Sequence, residues 1–202
     1  MRYTQTHKQE TKDRVVKIAA KMLREKGPEG VAVAEVMREA DLTHGGFYAH
    51  FPSKDAFLTE SLTEILVQAA EKRRQLTEGL SPREALTAYI DHYVSAAHRD
   101  RPGSGCPMVA LNSELPRQSK KFRTAFDEGV KRLLEWLAQL MAEAGIADSE
   151  ARAAAMLSAL AGAVALSRAV SDRDLSDALL KTAKSGIKAQ LGLTSISSET
   201  VL

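Results

Sequence analysis

Two short stretches of this 202-residue chain concentrate side chains that could do chemistry. The first reads Thr43-His44-Gly45-Gly46-Phe47-Tyr48-Ala49-His50-Phe51-Pro52-Ser53-Lys54. Paired glycines near the start of a helix cost about 1 kcal/mol each relative to alanine, so stability alone does not select them. They suit a place where backbone must come close to another surface. Thr43 and His44 beside them are small or polar, and the positive end of a helix dipole points the same way. A groove about 12 Å wide in a polyanion, the major groove of DNA, is a surface of that kind. Thr43 and His44 are then the side chains for base edges, and Gly45 and Gly46 permit close approach. Phe47 and Phe51 are expected inside, because so small a unit needs its apolar residues for a core.

The second stretch surrounds the single cysteine, Cys106, in Ser-Gly-Cys-Pro-Met after a loop that carries His98, Arg99 and Arg101. A thiol near a helix start and beside cations has a lowered pKa and more thiolate; Arg168 is a further candidate neighbour. The alternative is a small buried hydrophobe. His92, His98, Asp91 and Cys106 could be imagined as a Cys/His hydrolase, but they all fall within one helix and loop. No nucleophile elbow, phosphate loop or zinc-protease pair is present. The expectation is a protein that is not an enzyme and has no catalytic residues, metal or cofactor.

The elements that must position these residues read as helices. Hydrophobic residues are 44% and charged residues 27%, which fits a folded globular chain. Aromatics are only 5% while Ala and Leu abound, which favours helix over sheet. Val15, Ile18, Ala19, Met22 and Leu23 make one stripe of a helix over 8–26, stopped by Gly27-Pro28. A second short helix covers 33–40 and turns at Asp41-Leu42. Thr43 caps a third helix to Ala49, and Ser53 starts a fourth that runs to Arg74. Three short helices with a tight corner between the second and third form a helix-turn-helix.

Downstream, Ser81-Pro82-Arg83-Glu84 is a capping box with Pro at the first helical position. One helix is expected from there to Ala97, then a loop at 100–105 and a short helix over Cys106–Ser113. A long helix follows over 119–144, with Gly145 as its C-cap. Asp148 is expected to cap the next helix, to Val170, and Asp174 the last, to Leu191. The segment 151–170 is small or apolar nearly all round, so it must be covered on both sides. Burial inside the monomer is one solution; a chain this small has little with which to wrap it, which favours a homodimer. The expected division is 1–54 for the helix-turn-helix, 55–192 for a second helical domain and 193–202 for a flexible tail.

One cysteine excludes an internal disulfide and fits a reducing cytoplasm. No run approaches about 18 consecutive apolar residues, so no membrane partner is expected. Net charge is only +2, with 13 Lys/Arg against 11 Asp/Glu in residues 1–76 and 15 against 15 afterwards. That slight excess suits a polyanion but is too small for a binder that relies on charge alone.

Residues 30–57, GVAVAEVMREADLTHGGFYAHFPSKDAF, resemble the TetR family of bacterial regulators. The likeness lies in the small-apolar second helix, the Asp-Leu corner and the Gly-Phe-Tyr-Ala-His-Phe-Pro-Ser-Lys run. Ala32 and Asp41 depart from it, standing where the family usually has Thr and Gly. The resemblance implies an all-α fold: an N-terminal three-helix helix-turn-helix domain plus a C-terminal helical ligand-binding and dimerisation domain. It implies a homodimeric repressor, or an activator using the same contacts, on a palindromic double-stranded DNA operator. It places phosphate contacts at Tyr48 and Lys54, and contacts of that kind set register rather than sequence choice. Arg38, and a basic arm of Arg2, Lys8 and Lys12, can add to them. It also implies a small-molecule inducer, of unidentified chemistry, for which Tyr89, His92, Tyr93, Met108, Phe122, Phe126 and Trp136 are candidate lining residues. The Gly-Cys-Pro stretch resembles a branch of the family that senses electrophiles and oxidants, which makes Cys106 a candidate sensor.

Overall fold

Backbone punctuation sets most element ends. The computed structural model describes residues 5–193, and every element in that range is helical. The elements are α1 (Gln5–Lys26), α2 (Val33–Glu39), a 3-10 helix (His44–Ala49), α3 (Lys54–Thr77), α4 (Pro82–Tyr93), α5 (Ala96–Asp100), a 3-10 turn (Pro102–Ser104), α6 (Pro107–Ala110), a second 3-10 turn (Leu115–Arg117), α7 (Lys120–Glu143), α8 (Ser149–Ala169) and α9 (Arg173–Gln190). Arg2 and residues 194–202 of the expected tail lie outside the described residues.

The corner after α2 has a definite geometry. Leu42 N–H donates to the Met37 carbonyl at 2.8 Å, and Asp41 N–H donates to the Arg38 carbonyl at 3.1 Å. This 6→1 and 5→2 pair is a Schellman turn, which needs a left-handed residue at the position of Asp41. Asp41 has φ of +55° accordingly. The same bond pattern ends α7 at Gly145 and α9 at Gly192, where glycine takes it. Asp41 is therefore an L-residue held in a glycine conformation.

Several expected caps differ. The third helix is 3-10 rather than α, and Thr43 stands at its N-cap without a side-chain hydrogen bond. Asp148 makes no capping bond either: its φ of +52° is left-handed, whereas a capping residue is extended. Asp172, not Asp174, caps α9, accepting from the N–H groups of Asp174 and Leu175 at 2.9 and 3.1 Å. The helix expected over 81–97 breaks after Tyr93, where Val94 leaves helical geometry (ψ +69°). The capping box is present: Glu84 accepts from Ser81 N–H at 2.9 Å, and bonds from Ser81 hold its carboxyl below the usual range.

The chain divides into two compact units, residues 1–72 with 101–132, and 73–100 with 133–202. This division does not follow the expected boundary at residue 54. In the first unit, α1 contributes Val15, Ala19 and Leu23, α2 contributes Val36 and Met37, Phe47 comes from the 3-10 helix and Phe51 from just after it. Phe57, Leu62 and Ile65 of α3 continue the same core, and Leu111, Leu115 and Phe122 close it. The apolar stripe of α3 thus extends the helix-turn-helix core past residue 54. Gly129 lets α7 approach α3 closely, since a Cβ there would collide with Leu66.

In the second unit, α8 packs on α4, α5 and α9. It buries Ala153, Met156, Leu157, Leu160, Ala163, Val164 and Ser167. Its other side, with Ala155, Ser158, Ala159, Gly162 and Leu166, is exposed. By length and composition α8 is the one helix among the described residues apolar enough to cross a membrane, with a mean hydropathy of 1.2. A polar network fixes its C-terminal end. Arg168 donates to the carbonyls of His98 and Arg99 at 2.6 and 3.0 Å. Arg99, 3% exposed, donates to Ser176 at 2.7 Å and pairs with Asp100 and Asp177. Bonds from Arg99 and Arg173 hold the Asp100 carboxyl well below the ordinary carboxylate range.

The left-handed corner yields a stability test. A β-branched residue in that conformation costs about 1–2 kcal/mol. Asp41→Val should lower the unfolding free energy by that amount in urea titration, while Asp41→Gly should not; equal stabilities of the two variants would contradict the corner geometry.

Candidate nucleic-acid interface

The recognition segment is held from below and open above. Phe47 and Phe51 are each 1% exposed, and their rings stand 5.3 Å apart. Phe57 at the start of α3 meets both rings, edge-on to Phe47 at 5.3 Å and tilted against Phe51 at 4.7 Å. The 3-10 helix is therefore pinned to the core by alternate side chains, as expected for Phe47 and Phe51. Its other residues, Gly46 excepted, face out. Thr43, His44, Gly45 and Tyr48 are exposed, Tyr48 by 71%.

The two glycines do different things. A Cβ on Gly45 would meet nothing within 4 Å, so its backbone faces open space. A Cβ on Gly46 would lie 3.6 Å from Met37 and 3.8 Å from the Thr43 hydroxyl. Gly45 is placed for close approach, while Gly46 also belongs to the packing against α2.

Lys54 is exposed at the first position of α3, and Ser53 accepts from Ala56 N–H at 3.1 Å to begin that helix. Tyr48 and Lys54 thus flank the segment with a hydroxyl and an ammonium group in solvent. Arg38 is exposed in the last turn of α2. Of the expected arm, Lys8 is exposed. Lys12 instead pairs with Glu60 at 2.7 Å and lies over the Phe51 ring at 5.4 Å, tying α1 to α3.

His50 was not singled out by its sequence context. It follows the 3-10 helix, half-buried, and its Nδ1 is buried without a hydrogen-bond partner. Burial first, then the charges of Lys8 and Lys12, push its pKa down. The two lysines, about 40 residues away in sequence, carry no local signal for this.

The residues expected around Cys106 are distributed differently. Cys106 is half-buried, at the N-cap of α6 in the first unit. Arg99 and Arg168 are engaged in the network of the second unit. Arg24 of α1 is a cation in electrostatic reach of the thiol: burial lowers its pKa, and Glu25, Glu64 and Cys106 oppose that shift. Arg24 also donates to the Gly103 carbonyl at 2.6 Å and to Gln68 at 3.1 Å, joining α1, the 102–104 turn and α3.

The candidate ligand residues are divided between the two units. Met108, Phe122 and Phe126 belong to the first unit, and Tyr89, His92, Tyr93 and Trp136 to the second. Tyr89 packs against Trp136 at 5.1 Å and Tyr93 at 5.7 Å, with Arg73 over the Trp136 ring at 4.7 Å. The His92 and His98 rings stack at 6.4 Å. A depression of about 210 Å³ in the second unit is lined by other residues: Arg152, Ala155, Met156, Ile187, Gln190 and Leu191.

Comparison with known proteins decides the family. Residues 15–60 match the model described as "Bacterial regulatory proteins, tetR family". Residues 82–184, half of the chain, match "Transcriptional regulator LmrA/YxaF-like, C-terminal domain". The chain belongs to the TetR family. Similar proteins include the HTH-type transcriptional repressor NemR of Escherichia coli, 26% identical over 137 residues, covering 65% of this chain and 67% of that protein. The regulator LmrA of Bacillus subtilis is 20% identical over 147 residues, covering 72% and 78%. Among solved structures, the reduced form of E. coli NemR matches with a TM-score of 0.77 at 20% identity, over 89% of this chain and 96% of that one. A TetR-family regulator from Cytophaga hutchinsonii matches at 0.78 and 19%, over 90% and 95%. These structural likenesses establish the fold. As a TetR-family member, the protein is a DNA-binding transcriptional regulator of helix-turn-helix type.

Two groups of substitutions separate the roles in this segment. Tyr48→Phe and Lys54→Ala should weaken binding to all DNA sequences alike, with Lys54→Ala lowering the salt slope by about one unit. Changing Thr43 or His44 should alter base preference instead. Unchanged affinity and slope in Lys54→Ala, read by fluorescence anisotropy over a salt series, would remove the phosphate assignment.

Proposed function

We propose that the protein is a cytoplasmic homodimeric repressor of a palindromic operator, released from DNA by a small molecule or by modification of Cys106. The observation that carries the reading is the recognition segment itself, anchored by Phe47 and Phe51 and presenting Thr43, His44, Gly45, Tyr48 and Lys54 outward. NemR, a relative over two thirds of its length, is a repressor by name. Reading the chain as a regulator rather than an enzyme is also supported by Asp91. It pairs with Lys188 at 2.7 Å and Lys184 at 3.4 Å, which occupies the carboxylate that a Cys/His hydrolase would need.

The second copy is supported by the exposed side of α8. Leu166 is 57% exposed, and Gly162 has open space above it. On α9, Leu175, Ala178, Thr182, Gly186 and Ala189 are exposed as well. Small residues at helical spacing let two helices approach closely, and exposed leucines on such a face gain by burial, at about 25 cal/mol per Å² of apolar area. The two recognition helices of a dimer then meet successive major grooves, roughly 34–36 Å apart. Sedimentation should give a dimer at micromolar concentration, and sequences selected from random DNA should be imperfect palindromes. A monomer, or selected sites without two-fold symmetry, would sink this reading.

Release through Cys106 is supported by the half-buried thiol within electrostatic reach of Arg24, which also holds α1 to the 102–104 turn. Bulk added where side chains are packed costs about 1–3 kcal/mol, and in this region the strain falls on α1 of the helix-turn-helix unit. Iodoacetamide, which alkylates sulfur with loss of iodide, should reduce DNA affinity of the wild type and leave Cys106→Ser unaffected. Unchanged affinity with Cys106 alkylated, as read by mass spectrometry, would make the thiol structural and leave reversible ligand binding as the release mechanism.

A further inference from the structure

The basic surplus of the helix-turn-helix unit does not lie in the helix-turn-helix. Residues 1–72 hold 11 Lys/Arg against 11 Asp/Glu, while residues 101–132, which complete the same unit, hold seven against three. Within residues 115–124 there are four cations, Arg117, Lys120, Lys121 and Arg123, and no acid. For a chain whose net charge is +2, this decapeptide carries more than the whole surplus. All four side chains are exposed, and none forms an ion pair among the described residues. Three other lysines of the unit are paired, Lys12 with Glu60, Lys26 with Glu35 and Lys131 with Glu128.

The cluster is also fixed in place. Leu115, two residues before it, and Phe122, within it, are buried in the core that holds Phe47 and Phe51. Glu114, the only acid in residues 105–126, is turned away onto Gly27, where a Cβ would collide with its carboxylate. That contact places Glu114, three residues before Arg117, by the connection from α1 to α2. Four unpaired cations on a rigid support match a line of phosphates. A folded acidic protein would instead be expected to meet an apolar centre within a charged rim, and the exposed residues of 115–124 are Pro116, Arg117, Ser119, the two lysines, Arg123 and Thr124.

We propose that Arg117, Lys120, Lys121 and Arg123 form a second phosphate-binding surface, which grips double-stranded DNA flanking the sequence read by the recognition segment. The proposal rests on the DNA-binding reading and deepens it. Cations on phosphate carry no base preference, so the flanks contribute affinity without contributing sequence. Each phosphate neutralised adds about 0.9 to the slope of log affinity against log salt. A dimer presents the surface twice.

The test uses the full-length protein and a duplex selected by the wild type from a random-sequence pool. That duplex is made in two lengths, the segment protected from hydroxyl radicals by the recognition segment alone, and the same segment with about ten arbitrary base pairs on each side. The wild type should bind the long duplex ~10-fold tighter or more, with a steeper salt slope. The variant Arg117→Gln/Lys120→Gln/Lys121→Gln/Arg123→Gln should bind the short duplex as the wild type does, and lose both the gain and the extra slope on the long one. Lys120→Gln/Lys121→Gln, a milder change at exposed positions, should lose about half of each and serves if the fourfold variant does not fold. No gain from flanks in the wild type, or a gain retained by the variants, overturns the proposal while the DNA-binding reading stands. A wild type that selects no duplex from the pool overturns both.

Discussion

A six-residue 3-10 helix with two glycines cannot hold its own shape. Runs of 3-10 helix beyond three or four residues are uncommon because their hydrogen bonds are poorly aligned, and each glycine adds conformational entropy that folding must overcome. What fixes residues 44–49 is the contact of Phe47 with Phe51 and Phe57, three of the five phenylalanines in the chain. Burying a ring of this size is worth several kcal/mol, as the ~3–5 kcal/mol cost of Phe→Ala in cores shows. That is enough to outweigh the weak local preference. The outward residues can then be chosen for contact rather than for stability.

The same cluster explains why the first unit does not stop at residue 54. Phe57 belongs to α3, so the recognition segment is attached to a helix whose later residues, Leu62 and Ile65, bury into the same core as Leu111, Leu115 and Phe122. Arg24 adds a polar tie at the far end of α1, to the 102–104 turn and to Gln68 of α3. The recognition segment and the segment around Cys106 are thus parts of one packed body. A strain introduced at one is borne by side chains that also support the other, and the proposed release through Cys106 rests on that shared packing.

Much of this was legible in the sequence because it is written locally. The Ser81-Pro82-Glu84 box, the glycine after α7 and the helical stripes of α1 and α7 depend on residues a few positions apart. Phe47 and Phe51 were readable as core for the same reason. The misreadings share a cause as well. Asp148 and Asp174 have the composition of caps, but capping depends on backbone angle, which in each case was set elsewhere: Asp148 is left-handed and Asp172 takes the extended position ahead of α9. The electrostatic pairings of His50 with Lys8 and Lys12, and of Arg24 with Cys106, join residues tens of positions apart, and no periodicity reveals such pairs.

The central claim is that DNA meets the outward face of residues 43–48 while Phe47 stays in the core. Amide hydrogen exchange, followed by mass spectrometry with and without a duplex selected by the protein, tests it most directly. The account predicts that amides of the peptide spanning 43–50 slow on DNA addition by an order of magnitude or more, with those of α9 unchanged. Slowing elsewhere, with the 43–50 peptide exchanging as in the free protein, would contradict it.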